Sequence, residues 1–372
     1  MKALFLIFHD FKEFNGITKK IRYQVNALQK CGVDVRTCYL KEDKLKFRMV
    51  DDRIIKEYGE GFLSKILKRI EFNSIIEYVR KENIQLVYIR HDHNSNPFTI
   101  RLVRKIKELG CKTVLEIPTY PYDKEYKHLP LAYQRILLVD VLFRKRLAKY
   151  IDYIITFSDH DVIWNRPTIQ ISNGIDFDSI KEKEKTNDTK NELKLLGLAT
   201  IHPWHGFDRI LKGLAHYYKS NPAYRVTFHI VGFGVTETMN EYKEIISENN
   251  LEPYVFLYGG LFGTELDSMF SLCDLGIGSL ARHRSGIDRI KTLKNREYAA
   301  RGIPFIYSET DEDFDTMPYV LKIPANDSVI DIDQLISFYH SEQWNPQAIR
   351  KSIENKLSWE KQMDIILHTI YK

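Results

Sequence analysis

Cysteine is scarce: Cys31, Cys38, Cys111 and Cys273 fall without pair spacing in 372 residues. That spacing indicates neither a disulfide framework nor a zinc site. Glycine (18) and proline (12) are also few, and no low-complexity tract or repeat period is visible. Long apolar runs are missing. The longest, Ile136 to Phe143, is interrupted by Asp140, so no segment is expected to span a bilayer. The opening MKALFLIFHDF is too short for the apolar part of a signal peptide and reads as a first buried strand, which makes the cytoplasm the expected compartment. No G-x-G-x-x-G follows that strand, so a dinucleotide site is not expected there.

What the chain does have is material for cores. Apolar residues make up 44% and aromatics 12%, and 372 residues exceed what a single core usually organises, so two domains are expected. The net charge of +5 hides an asymmetry. Residues 1–172 carry 32 Lys+Arg against 21 Asp+Glu, a net of +11, and residues 173–372 carry 23 against 29, a net of −6. Lys44–Arg48, Lys65–Arg69, Arg101–Lys107 and Arg144–Arg146 supply much of the excess. A basic half of this kind suits an anionic membrane surface, or simply a soluble one. No aromatic-and-basic recognition motif accompanies the charge, so nucleic acid is not an expected partner.

Taken in order, the chain alternates strands and helices. Ala3–Phe8 reads as a strand, Ile17–Lys30 as a helix ended by Gly32, and Val33–Tyr39 as a strand. That order is a βαβ unit and implies a parallel sheet. Residues 41–60 give no clear pattern. Phe62–Lys81 looks helical, Leu86–Ile89 extended, and Pro97–Leu109 helical. Lys112–Ile117 is a strand running into EIPTYPYDKE, and Leu129–Lys149 is a long basic amphipathic helix. Tyr153–Phe157 and Thr168–Ile171 are further strands. Asn173-Gly174 is a turn signal, and Asp176–Asn191 is charged and aperiodic. The alternation then restarts with Lys194–Leu198, the loop HPWHGF (His202–Phe207), the helix Asp208–Lys219 and the strand Val226–Val231. These patterns predict an α/β protein of two Rossmann-like, doubly wound domains facing across a cleft. The expected boundaries are 1–172, 173–355, and a terminal helix over 356–372.

Ser285–Ile306, SGIDRIKTLKNREYAARGIPFI, stands apart. A polar loop opens at Gly286, and a basic helix carrying Arg289, Lys291, Lys294 and Arg296 follows, with the single acid Glu297. Gly302 stops it, and Pro304 leads into an apolar strand. Backbone N–H groups and lysines at a helix start make an anion site. A carboxylate further along can hold a ribose diol. The plainer alternative is a solvated amphipathic helix before a buried strand.

These pieces together resemble a retaining glycosyltransferase of family 4, with the GT-B fold. The resemblance is carried by Gly16-Ile17, Ile171–Asp176, His205–Arg209, Ile230–Gly234, Phe256–Gly259 and Leu293–Pro304, spread along nearly the whole chain. HPWHGFDR, EIPTYPYD and LKNREYAARGIPF resemble a subset associated with bacterial surface polysaccharides.

The resemblance implies transfer of a sugar from a nucleotide-diphosphate-sugar donor to an acceptor hydroxyl, with retention and without a metal or other cofactor. The donor would bind the second domain. The acceptor, a lipid-linked glycan or an oligosaccharide, would bind the first. Glu297 matches the later glutamate of the family's paired motif, and the earlier one falls on Arg289. The family's phosphate-binding arginine and lysine fall near Ala199 and His205, so phosphate charge is expected to meet His205 with Lys291 or Lys294. Gly16, Gly232, Gly234, Tyr258, Gly286, Ile287 and Arg289 complete the expected donor contacts. Glu116, at the end of a central strand, is the candidate carboxylate near the reacting sugar, or else an anchor for the loop after it. His9, His91 and His93 are further candidates. Two other readings compete: a nucleotide-sugar epimerase of the same fold, and a two-domain ligand-binding protein without catalysis.

Overall fold

The computed structural model describes residues 1–11, 16–123, 131–184 and 191–372. The chain divides into two compact units, Met1–Ser172 with Trp359–Lys372, and Asn173–Ser358.

The first unit opens with β1 (Lys2–Asp10), α1 (Gly16–Lys30) and β2 (Asp34–Glu42). A hairpin of β3 (Lys46–Val50) and β4 (Arg53–Gly59) follows, then α2 (Gly61–Ile70), α3 (Asn73–Lys81) and β5 (Leu86–Arg90). The unit continues with α4 (Pro97–Glu108), β6 (Lys112–Ile117), α5 (Leu131–Ala148), β7 (Tyr153–Thr156), β8 (Val162–Ile163) and β9 (Arg166–Gln170). The sheet order is β4-β3-β2-β1-β5-β6-β7-β9-β8. It is parallel from β2 to β9 and antiparallel at its rims.

β1 is apolar without alternation because helices cover both faces of the sheet. Its side chains still alternate in direction. Leu4 and Leu6 share a core with Ile75 and Val79 of α3 and with Leu102 and Ile106 of α4. Ala3, Phe5 and Ile7 share the opposite core with Ile21 and Leu28 of α1. At the start of α4, the Asn96 side chain accepts the N–H groups of Phe98 and Thr99, with Pro97 at the first turn. That satisfies donors a helix start otherwise leaves open.

The second unit contains β10 (Glu192–Leu198), α6 (Phe207–Tyr218), β11 (Arg225–Val231), α7 (Thr236–Glu248), β12 (Val255–Leu257), α8 (Gly263–Leu272) and β13 (Leu275–Ile277). After β13 come α9 (Leu293–Arg301), β14 (Phe305–Tyr307), β15 (Val320–Lys322), α10 (Ile332–His340) and α11 (Pro346–Leu357). Its sheet is wholly parallel, in the order β12-β11-β10-β13-β14-β15. One face packs Leu193 and Leu195 against Phe207, Leu211 and Leu214 of α6. The other packs Leu196 against Tyr298 and Ala299 of α9 and Ile353 of α11. The last helix, α12 (Trp359–Tyr371), belongs to the first unit, where Trp359, Met363 and Ile366 join the α1 core.

Two stretches differ from the sequence reading. Residues 41–60, without a pattern, contain the β3-β4 hairpin, whose Arg48 is fully buried and donates Nη1 to the Ile7 carbonyl at 3.0 Å. The helix expected over Phe62–Lys81 is two helices. The chain leaves helical geometry at Glu71 (φ −97°, ψ 114°), and Phe72 turns into the core. The helix expected over Leu129–Lys149 is present as α5, residues 129 and 130 lying outside the described residues.

Candidate functional site

The order of the second sheet sets the position of the site. From β10 the chain winds outward through β11 and β12, then crosses back to β13 on the other side. Loops leaving β10 and β13 therefore run to opposite faces and open a crevice at the carboxyl ends of the strands, where ligands of doubly wound sheets bind. Short backbone bonds tie the rims together. Leu280 N–H donates to the His205 carbonyl at 3.0 Å, and Ser308 N–H to the Ser279 carbonyl at 2.9 Å. The loops after β10, β13 and β14 thus meet, with the start of α9 beside them.

Most arginines around this crevice are committed to the protein. Arg209, fully buried, donates to the carbonyls of Ser328, Pro324 and Leu280. Arg284 grips Asp208 with two bonds of 2.8 and 3.0 Å. Arg296, fully buried, holds Asp311 at 2.6 and 3.0 Å and also Asp313. Arg289 pairs with Glu312, and Lys291 lies 4.0 Å from the same carboxylate.

Lys294 is different. Its Nζ is sealed from solvent and has no hydrogen-bond partner among the described residues. In the loops after β13 and β14 and at the start of α9, Glu309 Oε2, Asn295 Oδ1, Ser279 Oγ and Thr292 Oγ1 are also buried without partners among the described residues. Buried polar atoms are nearly always paired, so five unpaired ones at strand ends and a helix start mark a place for a polar ligand.

The electrostatics agree with that reading. Burial pushes Lys294 down to about 7, helped by the Arg282 charge and opposed by Glu309. Burial pushes Glu309 up to about 7. His205 is held well below its ordinary value by burial first, then by Lys294 and Arg282. Its Nδ1 accepts the His202 N–H at 3.0 Å, so the ring is neutral and its hydrogen sits on Nε2, a donor. A neutral imidazole donor beside a lysine of adjustable charge can bind an anion without a fixed surplus of positive charge in a buried site.

The structure brings together His205 and Lys294 from the sequence candidates. Lys291 and Arg289 are not in the expected helix, which starts only at Leu293. The reason is local pairing. Ile290 N–H donates to the Thr310 carbonyl at 3.0 Å, and Thr310 N–H to the Asp288 carbonyl at 2.7 Å, which keeps this loop extended. Gly286 turns the same loop at φ +67°, and Ile287 beside it is half-buried. Glu297, one turn into α9, bonds Arg301 at 3.1 and 3.3 Å. Gly232 sits at φ +134°, and a Cβ there would lie 1.7 Å from the Ala199 carbonyl oxygen, so no other residue fits. Gly234 lies against Ile201 and Met239, and the Tyr258 hydroxyl bonds His229 Nδ1 at 2.9 Å. Arg282, Asn295 and Glu309 were not among the sequence candidates. Glu309 had one available signal, an acid two residues past a buried strand at the sheet's carboxyl edge.

In the first unit, Glu116 is fully buried on β6. It accepts from Gln24, Tyr88 and Arg90, each at 2.6 Å, and Lys20 Nζ lies 3.4 Å away. Burial alone would raise its pKa, but Lys20, Arg90 and these bonds outweigh that and hold it below the usual carboxylate value. Its geometry is that of an anchor between α1 and the sheet, with Lys20 and Arg90 set by it. Gly16 opens α1. A pocket of about 550 Å³ lies where this sheet reverses its order, between the ends of β1 and β5, and His9 and His93 line it. Burial lowers the pKa of both, His93 to about 4. His91 faces Asp140 at 3.3 Å instead. No group of three or more His, Cys, Asp or Glu side chains among the described residues is arranged to hold a metal ion.

No protein-family model matches this sequence, and no curated protein matches it. Solved structures do. Sucrose-phosphate synthase from Thermosynechococcus elongatus is similar over 100% of this chain and 98% of its own, with a TM-score of 0.68 at 13% identity. The catalytic domain of starch synthase IV from Arabidopsis thaliana, bound to ADP and acarbose, is similar over 100% and 99%, with a TM-score of 0.65 at 12% identity. The fold is GT-B. UDP-GlcNAc 2-epimerase from Methanocaldococcus jannaschii also shares it, over 99% and 100%, with a TM-score of 0.53 at 12% identity.

Proposed function

We propose that this GT-B protein is a glycosyltransferase that moves a sugar from a nucleotide-diphosphate-sugar to an acceptor hydroxyl with retention of configuration. The observation that carries the reading is Lys294. Its ammonium group is unpartnered beside the neutral donor His205, at the switch point of the second sheet. An oxygen-rich dianion such as a diphosphate supplies what both lack. Leaving-group charge developing on the diphosphate would be stabilised by donors already in place, which is where such catalysis gains most.

Transfer with retention and without a covalent intermediate lets the departing diphosphate take the acceptor proton, so the protein's task is positioning. Ser279, Asn295 and Thr292 offer polar atoms for the rest of the donor, and Glu297 is the proposed ribose contact. Glu116 acts through Lys20 and Arg90, which it orients, rather than on the sugar itself. The chemistry proposed needs no metal. The acceptor is a lipid-linked glycan held by the first unit, the setting is surface polysaccharide synthesis, and the protein works on the cytoplasmic face of a membrane as a peripheral protein. The pocket beside β1, whose wall mixes Phe8, Leu40, Phe72 and Ile136 with polar side chains, and the basic excess of residues 1–172 support that part. Among the described residues no helix is long and apolar enough to cross a membrane.

Two measurements test this. A thermal-shift screen of nucleotide-sugars should pick out one donor class, since a ligand of the folded state raises its stability. With that donor, nucleotide release should require an acceptor. Conversion of the donor to an epimer without any acceptor would favour the epimerase reading, which the similarity to the 2-epimerase keeps open.

A further inference from the structure

Two helices of the first unit present apolar side chains to solvent where a folded surface ordinarily hides them. In α2 only Ser64 is buried, while Phe62 is 75% and Leu63 70% exposed, with Ile66 and Leu67 beside them at 40%. In α5, Leu131 (72%), Leu138 (61%) and Leu142 (63%) are exposed. Their spacing of seven and four residues sets them on one stripe, with Arg135, Lys145 and Arg146 along it. The stripe lies roughly 160° around the helix from Asp140. Asp140 is fully buried, and it is bonded to the Tyr122 hydroxyl at 2.5 Å and to the Ser95 N–H at 3.0 Å. The inward side of α5 is therefore anchored, and the leucines point outward. Both helices pack on α4, and both line the 550 Å³ pocket, α2 through Lys68 and Arg69, α5 through Tyr133, Ile136 and Val139.

The charge on these helices has a single sign. α2 holds Lys65, Lys68 and Arg69 and no acid. α5 holds Arg135, Arg144, Lys145 and Arg146, and its one acid is the buried Asp140. Lys68 and Arg144 are paired with Glu42 and Asp123, and Lys65, Arg69, Arg135, Lys145 and Arg146 face solvent. Isolated exposed apolar residues need no explanation, but a contiguous set rimmed by charge of one sign marks an interaction surface. Leucine and phenylalanine framed by lysine and arginine, with no acid turned outward, is the composition of a surface that lies in a lipid headgroup layer.

We propose that α2 and α5 together dock the first unit on an anionic bilayer, with Phe62, Leu63, Leu138 and Leu142 entering the acyl boundary and the basic side chains meeting lipid phosphates. The surface would bring the mouth of the pocket between these helices to the bilayer, so that an amphiphilic acceptor need not leave it. The purpose of docking rests on the function proposed above. The docking itself does not.

Flotation of the full-length protein with vesicles tests it. The protein should float with phosphatidylcholine vesicles containing phosphatidylglycerol and at least about tenfold less with phosphatidylcholine alone, with binding reduced by salt. Replacing Phe62, Leu63, Leu138 and Leu142 together by serine should weaken flotation by about tenfold or more, as should Lys65→Glu with Lys145→Glu and Arg146→Glu. Val162→Ser, which alters a residue 59% exposed on β8, should change nothing. Unaltered flotation of the serine variant overturns the proposal. So does a wild-type protein that ignores anionic vesicles, or one that sediments as a dimer which the serine variant dissolves, since the surface is then an interface between copies. Flotation without nucleotide-sugar turnover would leave the docking and remove the transferase reading. Turnover with a soluble acceptor by a protein that ignores vesicles would do the reverse.

Discussion

The proposed donor site of the second unit rests on one buried amine, that of Lys294. Replacing it with methionine keeps the stem packed near Phe207 and removes the charge. Nucleotide-sugar affinity should fall roughly ten- to hundredfold, about 1.5–3 kcal/mol, with the melting temperature unchanged or raised. Calorimetric titration showing equal affinity would contradict the assignment. The same residue sets a pH dependence. Its folded-state pKa is lowered to about 7, so it is cationic below that pH and neutral above it. Glu309 is raised to about 7 and becomes anionic as the pH rises. Both changes disfavour an anion in the same direction, so affinity should fall as pH rises through about 7, and in Lys294→Met much of that fall should disappear. In the first unit, Glu116→Gln leaves Lys20 and Arg90 buried without their carboxylate. The expected cost is about 3–5 kcal/mol, read as a lower denaturant midpoint. A midpoint within error of wild type would show that the cluster is not an anchor.

At the scale of elements, the site depends on a few junctions. α9 begins just past the extended Asp288–Ile290 loop and ends at Gly302, φ +80°, where Ile303 N–H returns to the Tyr298 carbonyl at 2.9 Å. That stop aims the chain into β14 and so places Glu309 opposite Lys294. The junction between β11 and α7 depends on Gly232. A valine there combines a strained backbone with a clash against Ala199, and unfolding should become easier by at least about 1–3 kcal/mol. Because the Ala199 loop leads to His205, donor affinity should fall as well. An unchanged melting temperature would mean that the turn relaxes without cost.

At the scale of the whole molecule, two compact units predict two separable responses. Trp359 of α12 is buried against α1 in the first unit. Trp359→Ala should remove about 3–5 kcal/mol from that unit. In scanning calorimetry it should lower the transition that a bound nucleotide-sugar does not raise, and leave the ligand-sensitive one in place. A shift of the ligand-sensitive transition alone would place α12 with the other core.

Local patterns were enough for the alternation of strands and helices, because hydrophobic periodicity and Gly and Pro stops are properties of short stretches of chain. They predicted the apolar β1, the α4 start at Pro97, and the two-domain α/β class. They also named His205 with Lys291 or Lys294 as candidate anion ligands, and the fold brings His205 and Lys294 to one crevice. They failed where the outcome depends on distant pairing. The helix expected from Arg289 onward begins only at Leu293, because Thr310 pairs with the loop. Arg296, expected among the basic residues of the anion-binding helix, is buried on Asp311 and Asp313. For Glu116 the local pattern left a carboxylate near the sugar and an anchor both open, and only the fold shows Gln24, Tyr88 and Arg90 gathered on it. The sequence by itself determined the alternation of strands and helices and hence the α/β class. Only the tertiary structure decided that Lys294 is buried without a partner among the described residues, because that depends on neighbouring charges pairing across the fold, Arg284 with Asp208, Arg289 with Glu312 and Arg296 with Asp311.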